Sequence, residues 1–239
     1  MRIAFAGVSG SGKSTLARWL VSQEGPLAGL PICPVGSRSV AKEMGFVDPE
    51  TGEGRPYDVD RTDGAAYRGH LDIGWFTVDQ AASMAMAGWR QGVPTVRSHF
   101  QQRLADAKIA WESDRDNQVT GFVTDRTSLD DCAYAILHCP EVATQAFIDR
   151  ALLHTCETYD RIFLCPMDAG QWLDGDAARV QDLDYHCRYE VVLNGLLGGQ
   201  HQHLKERIRV LDVPDLWARQ EQIKGAVLAG RRDAAGMPF

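Results

Sequence analysis

The stretch Arg2-Ile-Ala-Phe-Ala-Gly7-Val-Ser-Gly-Ser-Gly-Lys13-Ser14 decides how the rest of the 239-residue chain is read. Its first half is a short apolar run ending in glycine, the pattern of a parallel strand buried on both faces. Its second half fits GxxxxGK(S/T) in full, with Gly7, Gly12, Lys13 and Ser14 at the defining positions. A helix is expected to follow from Lys13 to about Gln23, carrying Leu16, Ala17 and Leu20 on its inner face. Glycines at 7, 10 and 12 let successive backbone N–H groups turn inward around phosphate oxygens, where a β-carbon would clash. The helix start adds its positive end. The Lys13 ammonium is suited to the β and γ phosphates and the Ser14 hydroxyl to a magnesium ion, with Ser9, Ser11 and Thr15 completing the cradle. The expected ligands are therefore ATP and Mg2+.

Outward from this loop, apolar runs alternate with helical patterns. Strands are expected at Leu30–Val35 (weakened by two prolines), Val119–Thr124, Arg161–Cys165 and Arg207–Leu211. Helices are expected at Ser39–Met44, Val96 to about Asp114, Leu129–His138, Pro140 to about Thr155, Tyr185–Leu197 and Pro214–Leu228. This alternation predicts an α/β fold with a central parallel sheet, and the phosphate loop makes it a P-loop NTPase. Residues 1–239 are read as one domain. Residues 47–95, rich in loop chemistry, are read as an insertion packed on it.

Composition narrows the classes. A chain that is 44% hydrophobic can fill a real core, and its 25 basic against 32 acidic residues, net −7, argue against coating nucleic acid by bulk attraction. No apolar run approaches the roughly 20 residues of a membrane helix. The start MRIAFAGVSG lacks a secretory signal, and none of the six cysteines forms a CxxC pair, so reduced thiols and a cytoplasmic location are expected.

A phosphate loop also needs a carboxylate at the end of a neighbouring strand, to hold magnesium or to take a proton from the acceptor. Asp125 stands there, directly after Gly121-Phe-Val-Thr124, and Arg126 follows it. The carboxylate serves the metal or the acceptor, and the guanidinium grips phosphate or sugar oxygens. Lys13, Asp125 and Arg126 are thus the expected catalytic residues. Asp130 either caps the next helix or faces the acceptor.

Three segments carry a resemblance: the Gly7–Ser14 loop, Ser37-Arg38-Ser39-Val-Ala-Lys-Glu-Met44, and Phe122-Val-Thr-Asp-Arg-Thr-Ser-Leu-Asp-Asp-Cys-Ala-Tyr134. Together the chain resembles the NadR-like P-loop kinases, the nicotinamide-riboside-kinase-type branch of the nucleoside and nucleotide kinase superfamily, over residues 1–46 and 96–229. The resemblance implies a three-layer P-loop NTPase of kinase-like type with a mobile helical lid, residues 168–190 being the candidate, whose arginines close over the triphosphate. Arg179 falls where it would meet ATP, and Arg188 with Arg38 and Asp130 where the acceptor would bind. Family members often carry an acid around the second strand, whereas this chain reads Cys33-Pro-Val-Gly-Ser-Arg38, which leaves Asp125 as the preferred base.

The expected reaction is transfer of the ATP γ-phosphate to a hydroxyl or phosphate of a nucleoside or nucleotide. One alternative acceptor is a hydroxymethylated pyrimidine in DNA, as for some phage kinases, which the net charge does not favour. A nucleotide-dependent ATPase or switch module is another alternative, and a homodimer is compatible with all three. Arg55, Tyr57, Arg68, Trp75 and Trp89 in the insertion would stack and hold an acceptor, or else form a small aromatic core with a charged rim. His201 and His203, two apart, do not suit a metal site.

Overall fold

The computed structural model describes residues 1–8, 10–37, 39–40, 96–167, 183–199 and 202–235. Four parallel strands form the central sheet: β1 (Arg2–Gly7), β2 (Phe122–Thr124), β3 (Arg161–Cys165) and β4 (Ile208–Val210), in the order β2-β1-β3-β4. β1 pairs with β2 from Arg2↔Phe122 and with β3 through to Gly7↔Cys165, so the phosphate-loop sequence leaves the middle of the sheet.

Alternation along β1 divides the interior. Ile3 and Phe5 pack with Leu16 and Leu20 of α1 (Lys13–Val21) and with Ile223 and Val227 of α8 (Leu216–Ala235). Ala4 and Ala6 turn the other way. There they meet α2 (Val96–Glu112), α4 (Ser128–His138), α5 (Gln145–Thr158) and α6 (Leu183–Gly198), through Ala105, Leu129, Ala151 and Leu193. The result is a helix–sheet–helix sandwich with a separate core on each face of the sheet, the expected three-layer α/β architecture.

Local chemistry moves several boundaries. The strand expected from Val119 begins at Phe122, because α3 (Arg115–Thr120) intervenes. The Asp114 carboxylate accepts from the Asp116 and Asn117 amides and starts that helix; Gly121, at φ 84°, ends it. Val119 is accordingly exposed. The strand expected at Leu30–Val35 shrinks to a single bridge, Ile32↔Val123, with Cys33 N–H donating to Val123 O at 2.8 Å and Val123 N–H to Pro31 O at 2.9 Å. Pro31 and Pro34 have no N–H with which to extend the ladder. The helix expected at Pro140 opens instead at Gln145, capped by Thr144, and the last strand is shortened by α7 (Gln202–Arg207).

The expected insertion, most of the expected lid (168–182) and the end of the helix expected after Ser39 lie outside the described residues. All six cysteines are free thiols, with Cys33, Cys132, Cys139 and Cys165 buried. Among the described residues no helix is long and apolar enough to cross a membrane.

Candidate functional site

The loop after β1 is shaped by its glycines. Gly7 leaves the strand at φ 132°, and a β-carbon there would stand 2.2 Å from the Cys165 carbonyl oxygen, so only glycine lets β1 approach β3 at this level. Gly12 caps α1 at φ 85° with open space around it, so its requirement is purely one of backbone conformation. Between them, Ser11 Oγ donates to Val8 O at 2.9 Å. Lys13, buried at the first position of α1, donates from Nζ to Val8 O at 2.5 Å and to Ser11 Oγ at 3.3 Å.

The carboxylate expected at the end of β2 meets this loop. The Ser14 hydroxyl donates to Asp125 Oδ2, a contact spanning 111 residues of sequence. Burial alone would raise the Asp125 pKa, but Arg126, then Lys13 and the Ser14 hydroxyl, outweigh it and hold the group below the usual aspartate value. Arg126 lies over the Tyr134 ring, 4.6 Å from its centroid, which fixes the guanidinium beside the carboxylate. Lys13 is brought down to about 8, first by burial and then by Arg126, against the pull of Asp130 and Asp125. An added polyanion would favour its charged form. A hydroxyl and a carboxylate are hard oxygen donors, the kind magnesium takes in small number beside phosphate and water, so Ser14 and Asp125 fit that ion.

These groups line one cleft of ≈ 680 Å³ outside the carboxyl ends of the strands. It runs from Gly10–Thr15 across Thr124–Arg126 to the segment from Ile32 to Ser39, which lies beyond β2 in the sheet. Gly10, Gly12, Lys13, Ser14, Thr15, Asp125 and Arg126 are thus brought together, with Gly7 and Ser11 in the supporting turn. Ser9, Arg38 and Arg179 lie outside the described residues. Arg188 is largely exposed on α6, where it pairs with Asp184 at 3.8 Å, and is absent from the cleft wall.

Asp130 differs from the expectation that it faces an acceptor. It is fully buried at the third position of α4, in a capping box with Thr127. Asp130 Oδ2 accepts from the Thr127 amide and hydroxyl at 2.8 and 2.7 Å, and Oδ1 from the Gly7 amide and the Tyr189 hydroxyl at 3.0 and 2.8 Å. With both oxygens engaged by protein donors, it braces the loop from behind.

Sequence reasoning missed Lys108 and Asp131, which both line the cleft while buried. Burial works against the Lys108 charge, but Asp131 and then Glu112 hold its pKa above the lysine norm. Burial pushes Asp131 up to about 6 despite Lys108 and Arg126, and its Oδ2 has no hydrogen-bond partner among the described residues. A signal existed: Lys108 stands four residues after Leu104 and four before Glu112, on the inward stripe of α2, where a charge is out of place. Deeper in, Ser128 Oγ lies 2.8 Å from His154 Nδ1, and His154 Nε2 lies 3.6 Å from Glu112 Oε2. The residue types suit a nucleophile triad, but Ser128 is buried and none of the three lines the cleft, so they form an interior packing network. Among the described residues no group of three or more His, Cys, Asp or Glu is placed to hold a metal ion.

No protein-family model matches the sequence, and no curated protein matches it. Solved structures do. A deoxyadenosine kinase from M. mycoides with bound dCMP and dCDP is 13% identical, with a TM-score of 0.51, over 96% of this chain and 99% of that one. Thymidylate kinase from Candida albicans is 17% identical with a TM-score of 0.54, over 96% and 91%. The NadR protein in complex with NR is 15% identical with a TM-score of 0.50; the match takes in 94% of this chain but only 50% of that one. At such identities the likeness is one of fold. The chain has the fold of the nucleoside and nucleotide kinases, and the narrower NadR-type resemblance is not singled out among them.

Proposed function

We propose that the protein is a kinase that transfers the γ-phosphate of ATP to a hydroxyl or phosphate of a nucleoside- or nucleotide-type acceptor. The observation that carries this reading is the junction of Ser14 with Asp125, flanked by Lys13 and Arg126, in one cleft that also takes in the Ile32–Ser39 segment. The loop amides and Lys13 hold the triphosphate. Ser14 and Asp125 hold magnesium, which when bound offsets the charge of the phosphates. The acceptor enters along the Ile32–Ser39 wall, with Lys108 and Asp131 offering it a donor and an acceptor group. Asp125, held ionised, takes the acceptor proton, and Arg126 neutralises charge on the moving phosphoryl group. The fold likeness to kinases that act on nucleosides and nucleotides supports the same reading.

Purified protein given magnesium-ATP and a panel of nucleosides and nucleotides tests it. Acceptor-dependent ADP release with a phosphorylated product is expected. ADP release indifferent to every acceptor would overturn the proposal in favour of an ATPase.

A further inference from the structure

A loop that turns its N–H groups toward an anion must turn its carbonyl groups away, and each buried carbonyl then needs a donor of its own. In this chain two cations provide them. Lys13 serves the Val8 carbonyl. The second comes from far away in sequence: Arg219, on the first turns of α8 and only 5% exposed, donates from Nη1 to the Ser11 carbonyl at 2.9 Å. Its Nε donates to the Val213 carbonyl at 2.6 Å, in the segment that joins β4 to α8. Asp215 holds that end of the helix, accepting from the Ala218 amide at 2.8 Å through Oδ2 and from the Arg219 amide at 3.0 Å through its carbonyl. Among the described residues no carboxylate pairs with the Arg219 guanidinium, and both of its bonds go to main-chain carbonyls.

We infer that Arg219 is a positioning residue for triphosphate binding: by holding the Ser11 carbonyl outward it fixes the turn that carries Gly10, Gly12 and Lys13 on the cleft wall. It also sets a positive charge behind the loop without touching the ligand. The guanidinium suits the task because it reaches two carbonyls in different directions from one planar group. The inference rests on the kinase reading above, insofar as the loop's ligand is a nucleoside triphosphate.

Titration calorimetry of magnesium-ATP into wild type, Arg219→Gln and Arg219→Lys tests it, with steady-state kinetics alongside. Arg219→Gln is expected to weaken ATP binding by about tenfold and raise KM for ATP by a similar factor. The KM for the acceptor should change less than twofold. Arg219→Lys should recover part of the affinity, and amide exchange at residues 10–13 should be faster in both variants than in wild type. Unchanged ATP affinity in a folded Arg219→Gln protein would overturn the inference, as would equal losses for both substrates. Should Arg219→Gln fail to fold, the Lys variant decides: wild-type affinity and loop exchange there refute the role. If wild type binds ATP but phosphorylates no nucleoside or nucleotide, the acceptor reading falls while this inference stands; if wild type binds no nucleoside triphosphate, both fall.

Discussion

The amide of Gly7 donates to Asp130 Oδ1 at 3.0 Å, tying the mouth of the phosphate loop to the first turn of α4. The same oxygen accepts from Tyr189 of α6, so three elements converge on one buried carboxylate. Asp130→Ala would strand the Gly7 and Thr127 amides and the Tyr189 hydroxyl, and would lose the capping box. A destabilisation of about 3 kcal/mol or more is expected, seen as a fall in Tm of roughly 5–10 °C. If Asp130 instead met the acceptor, its loss would raise acceptor KM with little change in Tm, and thermal melts beside kinetics separate the two.

Asp125→Asn keeps the shape of the site and its hydrogen bond with Ser14 but removes the ionised group. Loss of transfer by about a hundredfold or more is expected, with triphosphate binding retained in calorimetry. Near-normal turnover in the Asn variant would move the base elsewhere, Asp131 being the other carboxylate among the described residues of the cleft wall.

Lys13, at about 8, is expected to lose its proton within an accessible range. Bound phosphates favour the ammonium form, so triphosphate affinity should be level below pH 8 and fall by up to about tenfold per pH unit above it. The same titration with Lys13→Ala should show weak binding with no such break. A wild-type affinity flat from pH 7 to 9.5 would show that the Lys13 charge is not what holds the ligand.

Glu112, which does not itself line the cleft, provides a test read in stability. Burial pushes its carboxyl from 4.5 to about 7, with Lys108 and the Tyr159 hydroxyl opposing. A raised carboxyl pKa in the fold means that the folded state binds more protons than the unfolded one. The stability that Glu112 contributes is therefore full below pH 4.5 and is lost as pH rises through about 7. The cost at pH 8 is on the order of 1–3 kcal/mol. Glu112→Gln, which still accepts from Tyr159, should match wild type near pH 4.5 and be more stable at pH 8. His154, lowered by burial to about 4, runs the opposite way, and its main effect on stability falls below pH 6.5, away from the pH 7–8 range in which the two proteins are expected to differ. Parallel pH–stability curves would mean that the carboxyl titrates normally.

The loop, the central strand and the strand-end carboxylate were legible because each is written within a few consecutive residues. Gly7–Ser14 carries its own geometry, and Asp125 is marked by the apolar run before it. What the sequence hid depends on competition or on distance. Val119 looks like strand until Asp114 is seen capping a helix through it. Asp130 was open between cap and ligand, and only the Gly7 and Tyr189 contacts, 123 and 59 residues away, decide its surroundings. Lys108 could be read from its place on the inward stripe of α2, whereas Arg219 looks like an ordinary surface cation of an amphipathic helix. Its burial is set by how α8 rotates against the sheet, which no local pattern specifies.

The single bridge at Ile32 separates the cleft into parts of unequal permanence. The phosphate end grows out of β1, with strands on both sides and a helix behind. Among the described residues the opposite wall is joined to the sheet by two backbone hydrogen bonds, hemmed in by Pro31 and Pro34. A wall so lightly attached can be exchanged without disturbing the grip on phosphate. If the proposed activity holds, grafting the 30–40 segment from a kinase of this fold should therefore change which molecule is phosphorylated while leaving the appetite for ATP as it was, making this edge the place where a descendant lineage, or an engineer, would rewrite preference.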